Sequence, residues 1–246
     1  NGLFEPRQAA PVTGSPEYDP EFETRWTEFD VDRANQLLDE MGMSERDGDG
    51  WRLRPDGESF SFRILHRETT GTPGADEMQL IENYWKAIGL NVSQEVVERS
   101  LYEERVQNGD VDMGVWGADR NSVVKADPGR YIGITDDGPW ATMYGHWYDV
   151  GSPYPSMEPP EDHPIREIWR LWDATKTEPD EASRNALFKQ LLDIHKEHPY
   201  MIGTVGEAPA LFIVSNNVGN IGGGFINDDT LRSPGGANPV TWYFKT

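Results

Sequence analysis

Val111-Asp-Met-Gly-Val-Trp-Gly-Ala-Asp119 reads as a strand running into a loop. Val111, Met113 and Val115 alternate with Asp112, Gly114 and Trp116, the period-two pattern of a strand, and the run breaks at Gly117 into a loop that opens with Asp119. A buried strand that ends by presenting an indole and a carboxylate resembles one wall of a ligand site.

The residues before it say what kind of sheet this strand joins. A strand over 59–65, with Phe60, Phe62 and Ile64 alternating, leads through Gly71-Thr-Pro-Gly74 into a helix over about 75–88. Met78, Ile81, Trp85 and Ile88 form one stripe of that helix and Gly89 stops it. A strand over 90–97 follows. Ser100 with Glu103 three residues on reads as a capping box, and the helix it opens closes at Gly109, just before the strand at 111–116. The order is β-α-β-α-β with short connections, which predicts an α/β fold with parallel strands and right-handed crossovers. Ligands of such sheets lie beyond the carboxyl ends of the strands, and the loop after Trp116 is at such an end.

Working outward, residues 1–29 carry Pro6, Pro11, Pro16 and Pro20 with little periodicity and read as an extended arm. Asp30 is placed as an N-cap for an amphipathic helix over about 31–41, with Ala34, Leu37, Leu38 and Met41 at helical spacing and Gly42 as its stop. Asp47-Gly-Asp-Gly50 with Glu58 has part of an EF-hand spacing, but Arg52 stands where the loop's turn needs glycine, so a polar turn is expected. Residues 51–54, the turn Pro55-Asp56-Gly57 and the run from Phe60 then read as a hairpin. Beyond Asp119, residues 117–162 hold no long periodic segment and are rich in Gly, Pro and aromatics; loops of this length are usually functional or packed on a neighbour. Pro164 opens a helix carrying Ile165, Ile168, Trp169 and Trp172, and a second helix covers about 180–197 with Leu187, Leu191 and Ile194 inward. Apolar strands over 200–205 and 210–214, a Gly- and Asn-rich stretch and a short strand around Trp242 complete the chain, with no internal repeat.

Composition narrows the function classes. The 246 residues suffice for one large domain or two small ones, and nothing approaches the roughly 18 apolar residues of a membrane span. The opening residues contain no signal peptide and do not start with Met, so a processed chain or a piece of a longer one is expected. The absence of cysteine removes disulfides, thiolate metal sites and cysteine nucleophiles. A net charge of −21 argues against nucleic acid or an anionic membrane surface as partner, and is read as a solubility feature.

Candidate chemistry is sparse. His195 and His198 sit three apart near a helix end, where the helix dipole favours histidine without any metal, and no HExxH-type partner accompanies them. Gly222-Gly-Gly224 lacks the spacing of a phosphate cradle, and no G-x-S-x-G elbow occurs. Two carboxylates about 5 to 10 Å apart would make a glycoside hydrolase, the alternative reading, but with 43 acidic residues such a pair arises by chance. No metal, cofactor or catalytic residue is therefore expected, and the chain is read as a binding protein. Trp85, Trp169 and Trp172 fall on helix stripes and are assigned to core. Trp116, Trp140, Tyr144 and Trp147 lie at a strand end or in the long loop and, with Asp119, are the candidate ligand contacts.

The chain resembles the C-terminal part of the family 5 solute-binding proteins, the peptide- and nickel-type receptors of ABC importers. The marks are Gly2-Leu-Phe-Glu-Pro-Arg-Gln-Ala-Ala-Pro11, Phe29-Asp-Val-Asp-Arg-Ala-Asn-Gln-Leu-Leu-Asp-Glu-Met-Gly42, Asp49-Gly-Trp-Arg-Leu-Arg-Pro-Asp-Gly57, Trp85-Lys-Ala-Ile-Gly-Leu-Asn-Val92 and Gly109-Asp-Val-Asp-Met-Gly-Val-Trp116, in that order. The resemblance implies a periplasmic-binding-protein-like α/β lobe with a mostly parallel sheet. Its expected segments are an arm over 1–29, a ligand-binding lobe over 30–199 and a hinge and return segment over 200–246 leading to a first lobe outside this chain. It further implies a monomeric periplasmic or extracellular, cell-surface-associated receptor that closes on a small ligand and delivers it to a membrane permease. In oligopeptide-binding members an Asp three residues after the strand-end Trp pairs with the peptide's amino group, and Trp116-Gly-Ala-Asp119 fits that pattern. Arg120-Asn-Ser-Val-Val124 departs from the Asn/Pro-containing run of those members, and the aromatics of 140–148 look more like oligosaccharide-binding members. Both ligand classes stay open on the sequence.

Overall fold

A computed structural model describes residues 4–118, 120–134, 140–206, 211–231 and 237–245. The chain divides into two compact units. Unit 2 is Glu28–Trp116 with Gly133–Glu158; unit 1 is Asn1–Thr27, Gly117–Ile132 and Pro159–Thr246. Unit 1 carries β1 (Glu5–Pro6), α1 (Pro20–Thr24), α5 (Gly129–Ile132), α7 (Ile165–Thr177), α8 (Glu181–Glu197), β5 (Val205–Gly206), β6 (Val218–Gly219) and β7 (Tyr243–Phe244). Unit 2 carries α2 (Val31–Glu40), β2 (Ser61–His66), α3 (Pro73–Ala87), β3 (Asn91–Val96), α4 (Arg99–Gln107), β4 (Met113–Gly114) and α6 (Thr142–Tyr148).

Unit 2 is the expected parallel β-α-β-α-β. Its three strands stand in the order β3-β2-β4, with Ser61 opposite Asn91, His66 opposite Val96, and Ile64 opposite Met113. Successive residues of β2 point to opposite faces. Ile64 packs with Met78, Val92, Ile81 and Trp85 on the α3 side, whereas Leu65 packs with Tyr102, Val106 and Trp116 on the α4 side. The chain winds from β2 to β3 and then returns across β2 to β4, so the winding reverses at β2, and the carboxyl ends of β2 and β4 flank the switch point of the sheet.

Helix ends in this unit follow from local chemistry. Asp30 caps α2 by accepting the Arg33 N–H at 2.8 Å. Helices α2, α3 and α4 all end in the same two-bond motif: Gly42, Gly89 and Gly109 each donate to the carbonyl three residues back, and the next residue donates to the carbonyl five back (Met43 to Leu38, Leu90 to Trp85, Asp110 to Arg105). The motif demands positive φ at the glycine, and Gly42 lies at +84°. A Cβ there would meet Pro55 Cγ at 3.3 Å, a contact the ring can relax, so the left-handed backbone dominates the cost of substitution. Gly42→Ala is expected to destabilise by about 1 to 2 kcal/mol, read as a lower urea midpoint at unchanged slope.

Three expectations are corrected here. The capping box at Ser100 does not form, because α4 begins two residues earlier: Glu98 is the cap residue and its side chain accepts no first-turn N–H, and Glu103 pairs with Arg99 at 2.6 Å. The strand over 111–116 narrows to Met113–Gly114, because the Asp112 carboxylate accepts the Arg63 N–H at 3.0 Å where a ladder carbonyl would have served. The hairpin of 51–64 is reduced to isolated bridges, Arg46 with Arg52 and Leu53 with Ser59, around a turn in which Gly57 donates to the Arg54 carbonyl. Asp47 uses its carboxylate as a turn acceptor for the N–H groups of Asp49 and Trp51.

Unit 1 is built on the helix pair α7 and α8, with Ile165, Ile168, Trp169 and Leu171 buried on one and Phe188, Leu191 and Leu192 on the other. The arm is not simply extended, since Asp19 caps α1, Phe22 stacks on His195, and Asp19 pairs with Lys196 at 3.0 Å. Tyr131 is the hub: its hydroxyl donates to Asn121 Oδ1 at 2.8 Å with the Ala9 carbonyl also near, and its carbonyl accepts from His195 Nε2 at 2.8 Å. These contacts gather segments expected to lie apart: the unit boundary at Thr27 and Glu28 falls close to the end of the expected arm at 29, while residues 117–132 and 159–199 join the arm and the C-terminal residues in unit 1. The strands expected over 200–205 and 210–214 reduce to Val205–Gly206, paired with Glu5–Pro6; residues 207–210 lie outside the described residues and Leu211 to Val214 form no strand. The strand around Trp242 is Tyr243–Phe244, antiparallel to β6.

Candidate functional site

The carboxyl edge of the unit 2 sheet is built from the residues that follow its strands. Trp116 follows β4 and lays its indole on the fully buried ring of Tyr102, centroids 5.2 Å apart. Arg67 follows β2 and places its guanidinium carbon 4.0 Å from the Trp116 centroid. Arg99, first residue of α4, places its own at 5.3 Å from the same ring. Such cation–π contacts contribute of order 1 kcal/mol each when partly exposed.

His66, the last residue of β2, fixes the backbone from which Arg67 departs. It is buried and accepts the Glu68 N–H on Nδ1 at 3.2 Å, which leaves Nε2–H to donate to Gln94 Oε1 at 3.0 Å. Gln94 donates in turn to the Met78 carbonyl at 3.2 Å and to Glu82, whose carboxyl Lys86 holds below its ordinary pKa by hydrogen bonding. The chain from His66 to Lys86 thus ties β2 to β3 and α3 directly beneath the edge.

Of the expected ligand contacts, Asp119 lies outside the described residues. Its neighbours in unit 1 are held tightly. Arg120 bridges Asp127 at 3.1 Å and Asp229 at 2.9 Å, and Ser122 donates both its N–H (3.0 Å) and its hydroxyl (2.6 Å) to Asp228. Burial pushes the Asp228 pKa up, but the hydrogen bonds from Ser122 and Thr230 outweigh it and hold the carboxyl below its ordinary value. In unit 2, Trp140 is buried at 7% exposure, Tyr144 is half-buried and Trp147 is exposed, the last two on α6. Among the described residues, the ring and cation contacts of Trp116 are with Tyr102, Arg67 and Arg99, and not with Trp140, Tyr144 or Trp147. Of the tryptophans assigned to core, Trp169 is buried, its Nε1 donating to the Ile132 carbonyl, while Trp85 and Trp172 are half-buried.

Arg67, Arg99 and the Asp228–Asp229 pair escape a sequence reading. An arginine one residue past a strand carries no motif, and Asp228-Asp229 sits in a Gly- and Asn-rich stretch without periodicity. His195 commits its Nε2 to Tyr131, and among the described residues no group of three or more His, Asp or Glu stands together to hold a metal. No described helix is long and apolar enough to cross a membrane.

Solved structures give the chain its relatives. It is similar to an oligopeptide-binding protein, OppA, at 34% identity over all of this chain with a TM-score of 0.73, and it spans 40% of that protein's length. A Thermotoga maritima periplasmic oligopeptide-binding protein with bound mannohexaose matches at 19% identity over 82% of this chain and 36% of its own, with a TM-score of 0.58. MelB of Agrobacterium fabrum, in complex with stachyose, matches at 17% identity over 83% of this chain and 30% of its own, with a TM-score of 0.62. At those two identities the likeness is one of fold alone. No curated protein sequence matches. The family model of the bacterial extracellular solute-binding proteins, family 5, middle region, matches residues 1–131. That family and these neighbours are binding proteins, not enzymes. The chain, with more than half its length matched and a periplasmic-binding-protein-like α/β architecture, belongs to the family 5 bacterial extracellular solute-binding proteins.

Proposed function

We propose that this chain is the greater part of the ligand-binding lobe of an ABC importer's receptor, which captures an oligopeptide or oligosaccharide by lobe closure and hands it to a membrane permease. Membership of the family supports a substrate-binding role in import. The observation that carries the reading further is the parallel sheet whose switch point presents Trp116 beside the carboxyl end of β2. In this reading Trp116 supplies a flat apolar surface to the ligand, and Asp119 pairs with a cationic or hydroxyl group. Trp140, Tyr144 and Trp147 add aromatic area from α6 and the residues just before it. The receptor works as a monomer outside the cytoplasm, associated with the cell surface.

Peptide leads sugar because Trp116-Gly-Ala-Asp119 places a carboxylate three residues past the indole. The exposed ring of Trp147 favours sugar as the second reading, since flat rings stack on pyranose faces. A thermal-shift panel of peptides and neutral oligosaccharides on the purified protein tests both. The panel is expected to yield a stabilising ligand that is recovered unaltered after incubation, and Asp119→Ala is expected to weaken that ligand at least tenfold. Unchanged affinity in Asp119→Ala removes that residue from the site, and a panel without a stabilising member removes both ligand classes.

A further inference from the structure

His66 is buried beneath the carboxyl edge of the unit 2 sheet, and both of its ring nitrogens meet groups whose hydrogen-bonding sense is fixed. Nδ1 faces the Glu68 N–H at 3.2 Å, and a main-chain N–H only donates, so Nδ1 accepts. Nε2 faces Gln94 Oε1 at 3.0 Å. The Gln94 amide cannot be turned round, because its nitrogen donates to the Met78 carbonyl at 3.2 Å and to the Glu82 carboxylate, which Lys86 keeps ionised. Gln94 therefore turns its oxygen to His66, and Nε2 carries the proton. Each side on its own selects the same form of the ring, the neutral Nε2–H tautomer.

A second proton has no place in this arrangement. It would go to Nδ1 and point at the Glu68 N–H, donor against donor in a buried position. The groups packed on the ring offer no compensation. On the Nε2 side stand Gln94 of β3 and, behind it, Glu82 and Lys86 of α3, which neutralise each other. On the Nδ1 side the chain continues into Arg67, a further positive charge, and Glu68, whose carboxylate is turned to the Thr72 hydroxyl at 3.4 Å and packs over Gly74 at the start of α3. The strand neighbours Val96 and Val97 are apolar. Protonation therefore breaks the bond from Glu68. That bond shapes the exit of β2, from which Arg67 reaches the Trp116 ring at 4.0 Å and Glu68 reaches α3.

We propose that His66 is a positioning residue and proton gate of this edge: neutral, it holds the turn 66–68 and, through Arg67, the plane of the Trp116 indole; protonated, it lets both go. The released turn takes the proton more readily than the held one, so acid favours release and neutral pH favours the held edge. This gating rests on the ligand-binding reading for what the edge does: ligand is captured at neutral pH and held more weakly in mild acid.

The test is an NMR titration of the 246-residue chain without ligand, from about pH 8 to about pH 5, the interval in which imidazoles change charge. Ring-nitrogen spectra report the tautomer of His66, identified by its loss in His66→Asn, and the Trp116 indole N–H is identified by its loss in Trp116→Phe. His66 is expected in the Nε2–H form at neutral pH, and the indole and the Glu68 amide are expected to shift along the curve on which His66 takes its proton. In His66→Asn the side-chain carbonyl accepts the N–H two residues on and does not titrate, so the indole is expected to keep its neutral-pH position throughout. His66→Gln reaches Gln94 but supplies no acceptor at the place of Nδ1, so the indole is expected to be displaced at every pH. A role confined to stability would make the two variants alike. The Nδ1–H tautomer, an indole that stays still while His66 titrates, a ring that stays neutral until the protein unfolds, or a curve that persists in His66→Asn overturns the gate. Trialanine and maltotriose then serve as ligand probes at about pH 7 and about pH 5. A probe that binds is expected to lose about fivefold or more in affinity in the parent, the lower end of ordinary coupling between two sites, and nothing in His66→Asn. Equal affinity at both pH values in the parent overturns the gate and leaves the receptor reading intact. An edge that moves with the proton while neither probe binds supports the gate and counts against the ligand classes proposed for the edge.

Discussion

Arg52→Met is expected to destabilise unit 2 by about 2 to 4 kcal/mol, from the loss of hydrogen bonds that a buried charged donor gives to main-chain carbonyls, roughly 1.5 to 3 kcal/mol each. The guanidinium is 3% exposed and all of its nitrogens are engaged. Nη1 donates to Asp39 Oδ1 and to the Met43 carbonyl, both at 2.6 Å; Nε donates to the Ile88 carbonyl at 2.8 Å, and Nη2 to Asn35 Oδ1 at 2.8 Å. One side chain thereby closes the orphan carbonyls at the ends of α2 and α3 and fastens both to the 51–54 segment. Methionine matches its stem but leaves the Met43 carbonyl without this donor, at roughly 1 to 3 kcal/mol, while the Ile88 carbonyl keeps only Arg46 Nη2 at 3.1 Å. Hydrogen exchange separates this from a global effect: amides of α2 and of the end of α3 should lose protection together, while those of α7 and α8 in unit 1 keep theirs. Uniform loss, or a change under 1 kcal/mol, would contradict the assigned role.

The second large effect is acid sensitivity through His195. Its ring is buried between Phe22, Tyr131 and Tyr200 and donates Nε2–H to the Tyr131 carbonyl, so the fold holds it neutral. Desolvation by burial lowers its pKa to about 4, from 6.5 in the unfolded chain. A depressed folded value means the unfolded state binds the proton first. The stabilisation is therefore complete above pH 6.5 and is lost as pH falls from 6.5 to about 4, by about 3 kcal/mol at the 1.36 kcal/mol that corresponds to each pKa unit. His163, also lowered chiefly by desolvation, acts in the same direction, whereas the lowered carboxyls of Asp19 and Asp228 act only below 3.8. Urea unfolding of the parent and of His195→Gln at pH 7 and at about pH 4.5 isolates the histidine. The variant retains an N–H donor and does not titrate, so its stability is expected to fall markedly less over that interval, and parallel curves would refute the assignment.

Much of unit 2 was legible from sequence because its determinants are local. Asp30 caps α2 within three residues, and Gly42, Gly89 and Gly109 end helices by bonds that reach five residues back. The alternation of apolar residues in 61–66 likewise sorts them between two faces, since a strand's period is two. Where the reading failed, a side chain from elsewhere competed with the backbone: Asp112 took the N–H of Arg63 and shortened β4, and Arg99 took Glu103 from the capping box.

The candidate site divides along the same line. The order of residues sufficed to place Trp116 at the carboxyl end of a parallel strand, because crossover handedness and strand direction follow from the β-α-β-α-β pattern itself. It could not bring Arg67 onto that indole, 49 positions away, because the approach depends on the register in which β2 pairs with β4. Nor could it assemble unit 1 from three distant segments. Those meet through single long-range bonds, such as Val12 N–H to the Asn121 carbonyl, Lys196 to Asp19 and His195 to Tyr131, and no local pattern encodes such a contact. Periodicity and capping are properties of neighbours in the chain; the guanidinium over Trp116 and the buried histidine are properties of neighbours in space, and only the packed tertiary structure decides them.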